Sequence, residues 1–128
     1  MLVLSSDIKT KTNKVCKVRF MTVGQLSEKC GLKEIVLADG SREITGVYIG
    51  DLLSWVMGRA KQGDAWITIM SNVNIAAVAA LADTACIILA EGVTLEEQVI
   101  TVAKDKGINV LCSNKPAYEI ALTLAKVL

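Results

Sequence analysis

From Ile44 to the C-terminus, short apolar runs alternate with segments of helical periodicity, and this alternation constrains the fold more than any other feature of the chain. Ile44–Ile49, Trp66–Ile69, Cys86–Ala90 and Ile108–Leu111 read as strands. Each is followed by a helix-length segment. The first carries the stripe Leu52, Leu53, Val56, Met57 and Ala60. Next come the Ala-rich run Ile75 to Ala82, then a helix buried through Leu95, Val99, Val102 and Ala103, and a terminal helix behind Pro116. An earlier strand at Glu34–Leu37 brings the expected sheet to about five strands. Strand–helix alternation of this kind implies an α/β domain with a mostly parallel sheet and helices on its faces. The unbroken apolar run Cys86–Ala90 agrees, because only a strand covered on both faces has no polar side.

Local signals mark where elements begin and end. Thr22 and Gln25 have the spacing of a capping box and open a short helix that Gly31 stops. Thr94 and Glu97 repeat that spacing, Asp51 stands where it would cap the Leu52 helix, and Asp39-Gly40-Ser41 is turn chemistry. The terminal helix is unusual. Ala117, Ile120, Leu124 and Leu128 form one apolar stripe, and Tyr118, Leu122 and Ala125 form another. A helix apolar on two sides is normally covered on two sides, so this second stripe is expected to form a symmetric homodimer interface.

At 128 residues the chain makes a single domain. It is 52% hydrophobic but only 4% aromatic, so Ala, Val, Leu and Ile must build the core. There is no histidine, which removes Ser-His-Asp and Cys-His catalysis and His-ligated metals. No phosphate-binding P-loop and no nucleophile elbow is present. Glu96 and Glu97 serve the first turn of a helix rather than acid–base chemistry. The sequence therefore reads as non-enzymatic. Cys16, Cys30, Cys86 and Cys112 are too scattered for a metal site and read as small packing residues of a reducing, cytoplasmic compartment; no cofactor is expected.

Charge is uneven. Residues 1–20 carry Lys9, Lys11, Lys14, Lys17 and Arg19 against Asp7, a balance of +4 that leaves −3 on the rest of a chain whose net charge is +1. These residues read as an N-terminal basic extension, and residues 21–128 as the domain proper. Within the extension Val15 to Phe20 looks like an extended segment, expected to pack on the sheet edge or on a neighbouring subunit. Met21 as an alternative chain start is the competing reading. Singly spaced cations describe a solvated edge better than a nucleic-acid site. No apolar run approaches the ~20 residues of a membrane span or the h-region of a signal peptide.

In open α/β sheets ligands favour the carboxyl ends of the strands. That rim collects Ser71, Asn72 and Asn74, then Glu91 and Gly92, then Ser113, Asn114 and Lys115. Amides, hydroxyls, one lysine and several helix N-termini suit a neutral or anionic small ligand, including a nucleotide or phosphorylated metabolite. Gly92 lets a ligand approach the backbone, and Asn74 divides its role between capping and contact. Plain helix capping by the same residues is the competing explanation.

The order of motifs resembles the DRTGG domain family. The likeness is carried by Arg42-Glu43-Ile44-Thr45-Gly46, Gly50-Asp51-Leu52-Leu53-Ser54, Trp66-Ile67-Thr68-Ile69 leading to Asn74-Ile75, Ile87-Ile88-Leu89, and Gly107-Ile108-Asn109-Val110-Leu111 with Ala117-Tyr118-Glu119. It runs from about Met21 to Leu128. Similar domains include the non-catalytic N-terminal domain of HPr kinase/phosphorylase. The resemblance implies a three-layer α/β/α domain, a tendency to dimerise, and a regulatory role. An Asp-Arg pair expected after the third strand is replaced by Ser71 to Asn74, and the expected Thr-Gly-Gly reads Ala90-Glu91-Gly92; Asn74 and Gly92 are the positions that carry across. Two functions follow. One is a regulatory ligand-binding and dimerisation module sensing an adenine nucleotide or other small anion. The alternative is a protein-binding accessory subunit of a metabolic or redox enzyme complex, with no small ligand.

Overall fold

A computed structural model describes residues 21–128 of the 128-residue chain. The expected extended segment at Val15–Phe20 lies outside the described residues. The chain runs β1 (Met21–Thr22), α1 (Val23–Cys30), β2 (Lys33–Val36), β3 (Glu43–Ile44), β4 (Gly46–Ile49), α2 (Leu53–Arg59), β5 (Asp64–Thr68), α3 (Asn74–Ala82), β6 (Cys86–Leu89), α4 (Glu97–Asp105), β7 (Val110–Cys112) and α5 (Ala117–Val127). The main sheet has the order β2-β7-β6-β5-β4, parallel except for β2, which lies antiparallel to β7. A small antiparallel pair, β1 with β3, sets Met21 opposite Ile44.

The topology dictates the layers. From β4 to β7 each strand steps to its neighbour in the same direction, and right-handed crossovers then put every connecting helix on one face. Accordingly α2, α3 and α4 pack with Trp66, Ile87, Leu89 and Val110, while α1 and α5 cover Ala65, Ile67, Cys86, Ile88 and Leu111 on the other. This is a three-layer α/β/α domain, and every residue of β5 and β6 is buried, as the apolar runs require. The Ala-rich α3 lets helix and sheet approach closely, with Ala76 and Ala79 fully buried.

The Thr22–Gln25 capping box is present in both directions, and Gly31 closes α1 at φ +65°. The Ile44–Ile49 run is divided at Thr45, whose amide bonds Gly63 at the foot of β5. Two capping expectations give way. Thr94 does not cap α4, which starts three residues later behind Glu96. Asp51 does not cap α2; its carboxylate instead accepts from the Thr68 hydroxyl (2.8 Å) and the Ile69 amide (3.0 Å), tying the β4–α2 corner to the end of β5. Of the α2 stripe, only Val56 is buried, whereas Leu52 and Met57 face outward. A short edge helix has only one neighbour to press against, so its stripe is narrower than its apolar content suggests.

Candidate functional site

Because β4 to β7 are parallel, their carboxyl ends share one rim, and all eight candidate ligand residues lie in the loops or first turns that follow β5, β6 and β7. At the β5–α3 corner the Asn72 side chain accepts the Asn74 amide at 2.9 Å. Asn72 therefore closes the turn into α3, while Asn74 is already the first helical residue.

The β6 and β7 loops are bound to each other. Ser113 N–H donates to Leu89 O, Gly92 N–H to Ser113 O and Glu91 N–H to Lys115 O, each at 2.9 Å, so the ladder continues past the strands. Glu91 and Gly92 both have positive φ, +63° and +73°, and Val93 N–H returns to Ala90 O, which describes a tight mirror-image turn. A Cβ on Gly92 would stand 3.1 Å from the Asn114 side-chain oxygen. The close approach that this glycine permits is thus taken by Asn114, and the Gly92 amide is already used.

Among the described residues, two separate cavities open on the rim. A cavity of about 500 Å³ lies between Ser71, Asn72 and Val73 and the α4 entry at Thr94–Glu96, with Gln98 and Val99. Another, about 300 Å³, joins Ser113 and Lys115 to the α1–β2 corner (Cys30, Gly31, Leu32) and to Ile120, Thr123 and Leu124 of α5. The first opens on the three-helix side of the sheet and the second on the two-helix side. Asn74, Glu91, Gly92 and Asn114 line neither. The division has a topological cause. A central crevice forms where strand order reverses, and β4 to β7 run in unbroken succession, so no reversal opens the middle of the rim.

The two cavities differ in charge. Glu96 is the ionisable group lining the first, and Lys115 the cation of the second. Beside Lys115, the Ser113 hydroxyl oxygen accepts the Lys115 amide at 3.1 Å, and its own proton remains for a ligand. Leu32, Ile120 and Leu124 supply a buried apolar floor. Burial pushes the Cys30 thiol in this cavity above its usual range. Burial likewise raises Cys112, against a smaller lowering by Lys33, so neither cysteine is set up as a thiolate. Among the described residues no cluster of Cys, Asp and Glu could hold a metal.

At the opposite end, the foot of the sheet, lies a grouping the sequence did not single out. Arg42 forks onto Asp83, its guanidinium meeting the carboxylate at 3.1 Å and the backbone carbonyl at 2.7 Å. Asp83 itself sits at φ +57°, the left-handed residue that ends α3. With Asp39, Thr84, Lys106 and Asn109 they surround a cavity of about 210 Å³. Both charges of Arg42 and Asp83 are spent on each other, which makes this a clamp between the β3 approach and the α3–β6 corner. Its sequence signal was the Arg42–Gly46 motif, but Asp83 carries no motif of its own.

The sequence model of the DRTGG domain matches residues 34–127. The chain belongs to the DRTGG domain family. The match leaves out α1, although Val23 and Leu26 of that helix are fully buried in the same core as α5. Among solved structures, the fold is similar to the CBS and DRTGG domains of the regulatory region of Clostridium perfringens pyrophosphatase, crystallised with its activator diadenosine tetraphosphate. The likeness has a TM-score of 0.70 at 14% identity, covering 84% of this chain and 47% of that one. The chain thus spans about half of the structure it resembles. No curated protein matches it. No helix among the described residues is long and apolar enough to cross a membrane.

Proposed function

We propose that this DRTGG-family chain is a non-catalytic regulatory module that binds a small anionic ligand, an adenine nucleotide first among them, in a cytoplasmic setting. The observation that carries the reading is the fold shared with a regulatory region crystallised with a nucleotide activator. Electrostatics favours the cavity at Ser113 and Lys115. A phosphate there meets a lysine and a hydroxyl proton, whereas Glu96 at the larger cavity repels it. The module acts as a homodimer through Tyr118, Leu122 and Ala125, all exposed on the outer side of α5.

Thermal denaturation in the presence of ATP, diadenosine tetraphosphate or inorganic phosphate tests this. A ligand at 100 times its Kd adds about 2.7 kcal/mol, worth roughly 10 °C for a domain of this size. Lys115→Ala is expected to abolish the shift and Glu96→Ala to leave it. No shift with any of the three anions overturns the ligand reading. The accessory-subunit reading draws on α2, where Arg59 stacks 3.7 Å over the half-exposed Trp55 and Met57 is also exposed, residue types enriched at protein interfaces. A stable heteromeric complex from native cells, with no anion response, favours it.

A further inference from the structure

We infer that the ligand of the Ser113–Lys115 cavity is a phosphate monoester on a compact body with an apolar face, a nucleoside monophosphate or smaller, and that the cavity discriminates against polyphosphates. The inference rests on the anion-binding reading of that cavity and narrows it. Three elements converge to build the cavity on the two-helix side of the sheet. Ile120, Thr123 and Leu124 lie three and four positions apart and so share one face of α5. Gly31 turns the chain out of α1 at φ +65°, and the Leu32 amide returns to Ser27 O at 2.9 Å, fixing the α1–β2 corner where Leu32 joins Ile120 and Leu124 in one core. The loop after β7 supplies Ser113 and Lys115.

Two properties of this lining choose the ligand. The first is that its polar and apolar groups are segregated. Ser113 and Lys115 stand together, joined by the bond from the Lys115 amide to the Ser113 hydroxyl oxygen at 3.1 Å, and Cys30, Leu32, Ile120 and Leu124 supply the apolar side. Burial raises the Cys30 thiol, which keeps it protonated and uncharged near neutral pH. An anionic head beside Lys115 therefore brings the atoms next to it against an apolar wall, and a bare phosphate leaves that wall wet. The second property is capacity. About 300 Å³ stands at the bottom of the range of ligand pockets, about 300–1,000 Å³, and takes one compact body. Lys115 is the one charged side chain among the described residues that line it, a match for a single phosphate group. Further phosphates extend away from that cation over a domain, residues 21–128, that carries −3.

Calorimetric titration of the full-length protein with two matched pairs of anions tests this. Phenyl phosphate against inorganic phosphate isolates the body, and AMP against ATP isolates the added phosphates. Phenyl phosphate is expected to bind at least tenfold more tightly than inorganic phosphate, and AMP at least tenfold more tightly than ATP. Cys30 locates the body. Saturating phenyl phosphate is expected to slow its alkylation by iodoacetamide, followed by peptide mass, at least tenfold. Cys112, which packs on the opposite face of the sheet, should react at an unchanged rate. Equal or reversed affinities within either pair overturn the inference, as does phenyl phosphate binding that leaves Cys30 unprotected; the anion-binding reading survives each of these results. Failure of all four anions to bind overturns that reading itself, and this inference with it.

Discussion

Asn109→Leu tests the reasoning used for this fold, because it changes side-chain shape little and removes a buried polar lock. Asn109 is 3% exposed and stands just before β7. Its side-chain oxygen accepts the Asp39 amide at 2.8 Å, and its NH2 group donates to Asp39 O at 2.9 Å and Ala85 O at 3.0 Å. One side chain thus fastens the β2–β3 loop to the α3–β6 corner. The two bonds to Asp39 are only partly buried, and water can replace them, so each is worth about 0.5–1 kcal/mol. The bond to Ala85 O is fully buried, and its loss orphans a carbonyl at about 1–3 kcal/mol. Together these predict a loss of about 3 kcal/mol. With a urea m-value of about 1.5 kcal/mol/M, the midpoint should fall by about 2 M at constant slope. Asn109→Asp should cost more near neutral pH, because it points a carboxylate at two carbonyl oxygens. A change under 1 kcal/mol in the leucine variant would refute the view that this side chain locks the foot of the sheet.

Other expectations follow from single residues. Leu122→Glu places a charge in the exposed stripe of α5 and should convert a dimer to a monomer in sedimentation while changing the intrinsic stability of the monomer by no more than about 0.5 kcal/mol, since surface changes are usually that small; a wild-type chain that sediments as a monomer sinks the dimer. Burial pushes the Cys86 thiol from its usual 9.0 up to about 12. The unfolded chain therefore releases that proton first, so the contribution of Cys86 to stability should be constant below about pH 9 and be lost as pH rises from about 9 toward about 12. Cys86→Ala should lose that part of the decline in alkaline unfolding curves, and an identical slope in both proteins contradicts the assignment.

The strands β5 and β6 were legible in the sequence because residues covered on both faces leave an uninterrupted apolar run, a local consequence of a global burial. The Thr22–Gln25 cap was legible for a similar reason: its partners lie three residues apart, so the sequence contains the whole interaction. Thr94 and Asp51 show where such reading stops. Both have the right residue type at the right spacing, but Asp51 found stronger partners at the end of β5 and just beyond it, seventeen and eighteen positions away. The rim followed from the parallel topology, and so the candidate ligand residues could be placed at one end of the sheet. The sequence could not show that the sheet parts Ser71 and Asn72 from Ser113 and Lys115, nor that Asn114 fills the space beside Gly92. Arg42 and Asp83, forty-one positions apart, meet only when the loop from β2 crosses the foot of the sheet. Periodicity and caps are written in neighbours along the chain, and determine which elements exist. Which side chains share a cavity depends on strand order and on which face each helix covers, and tertiary packing alone decides that.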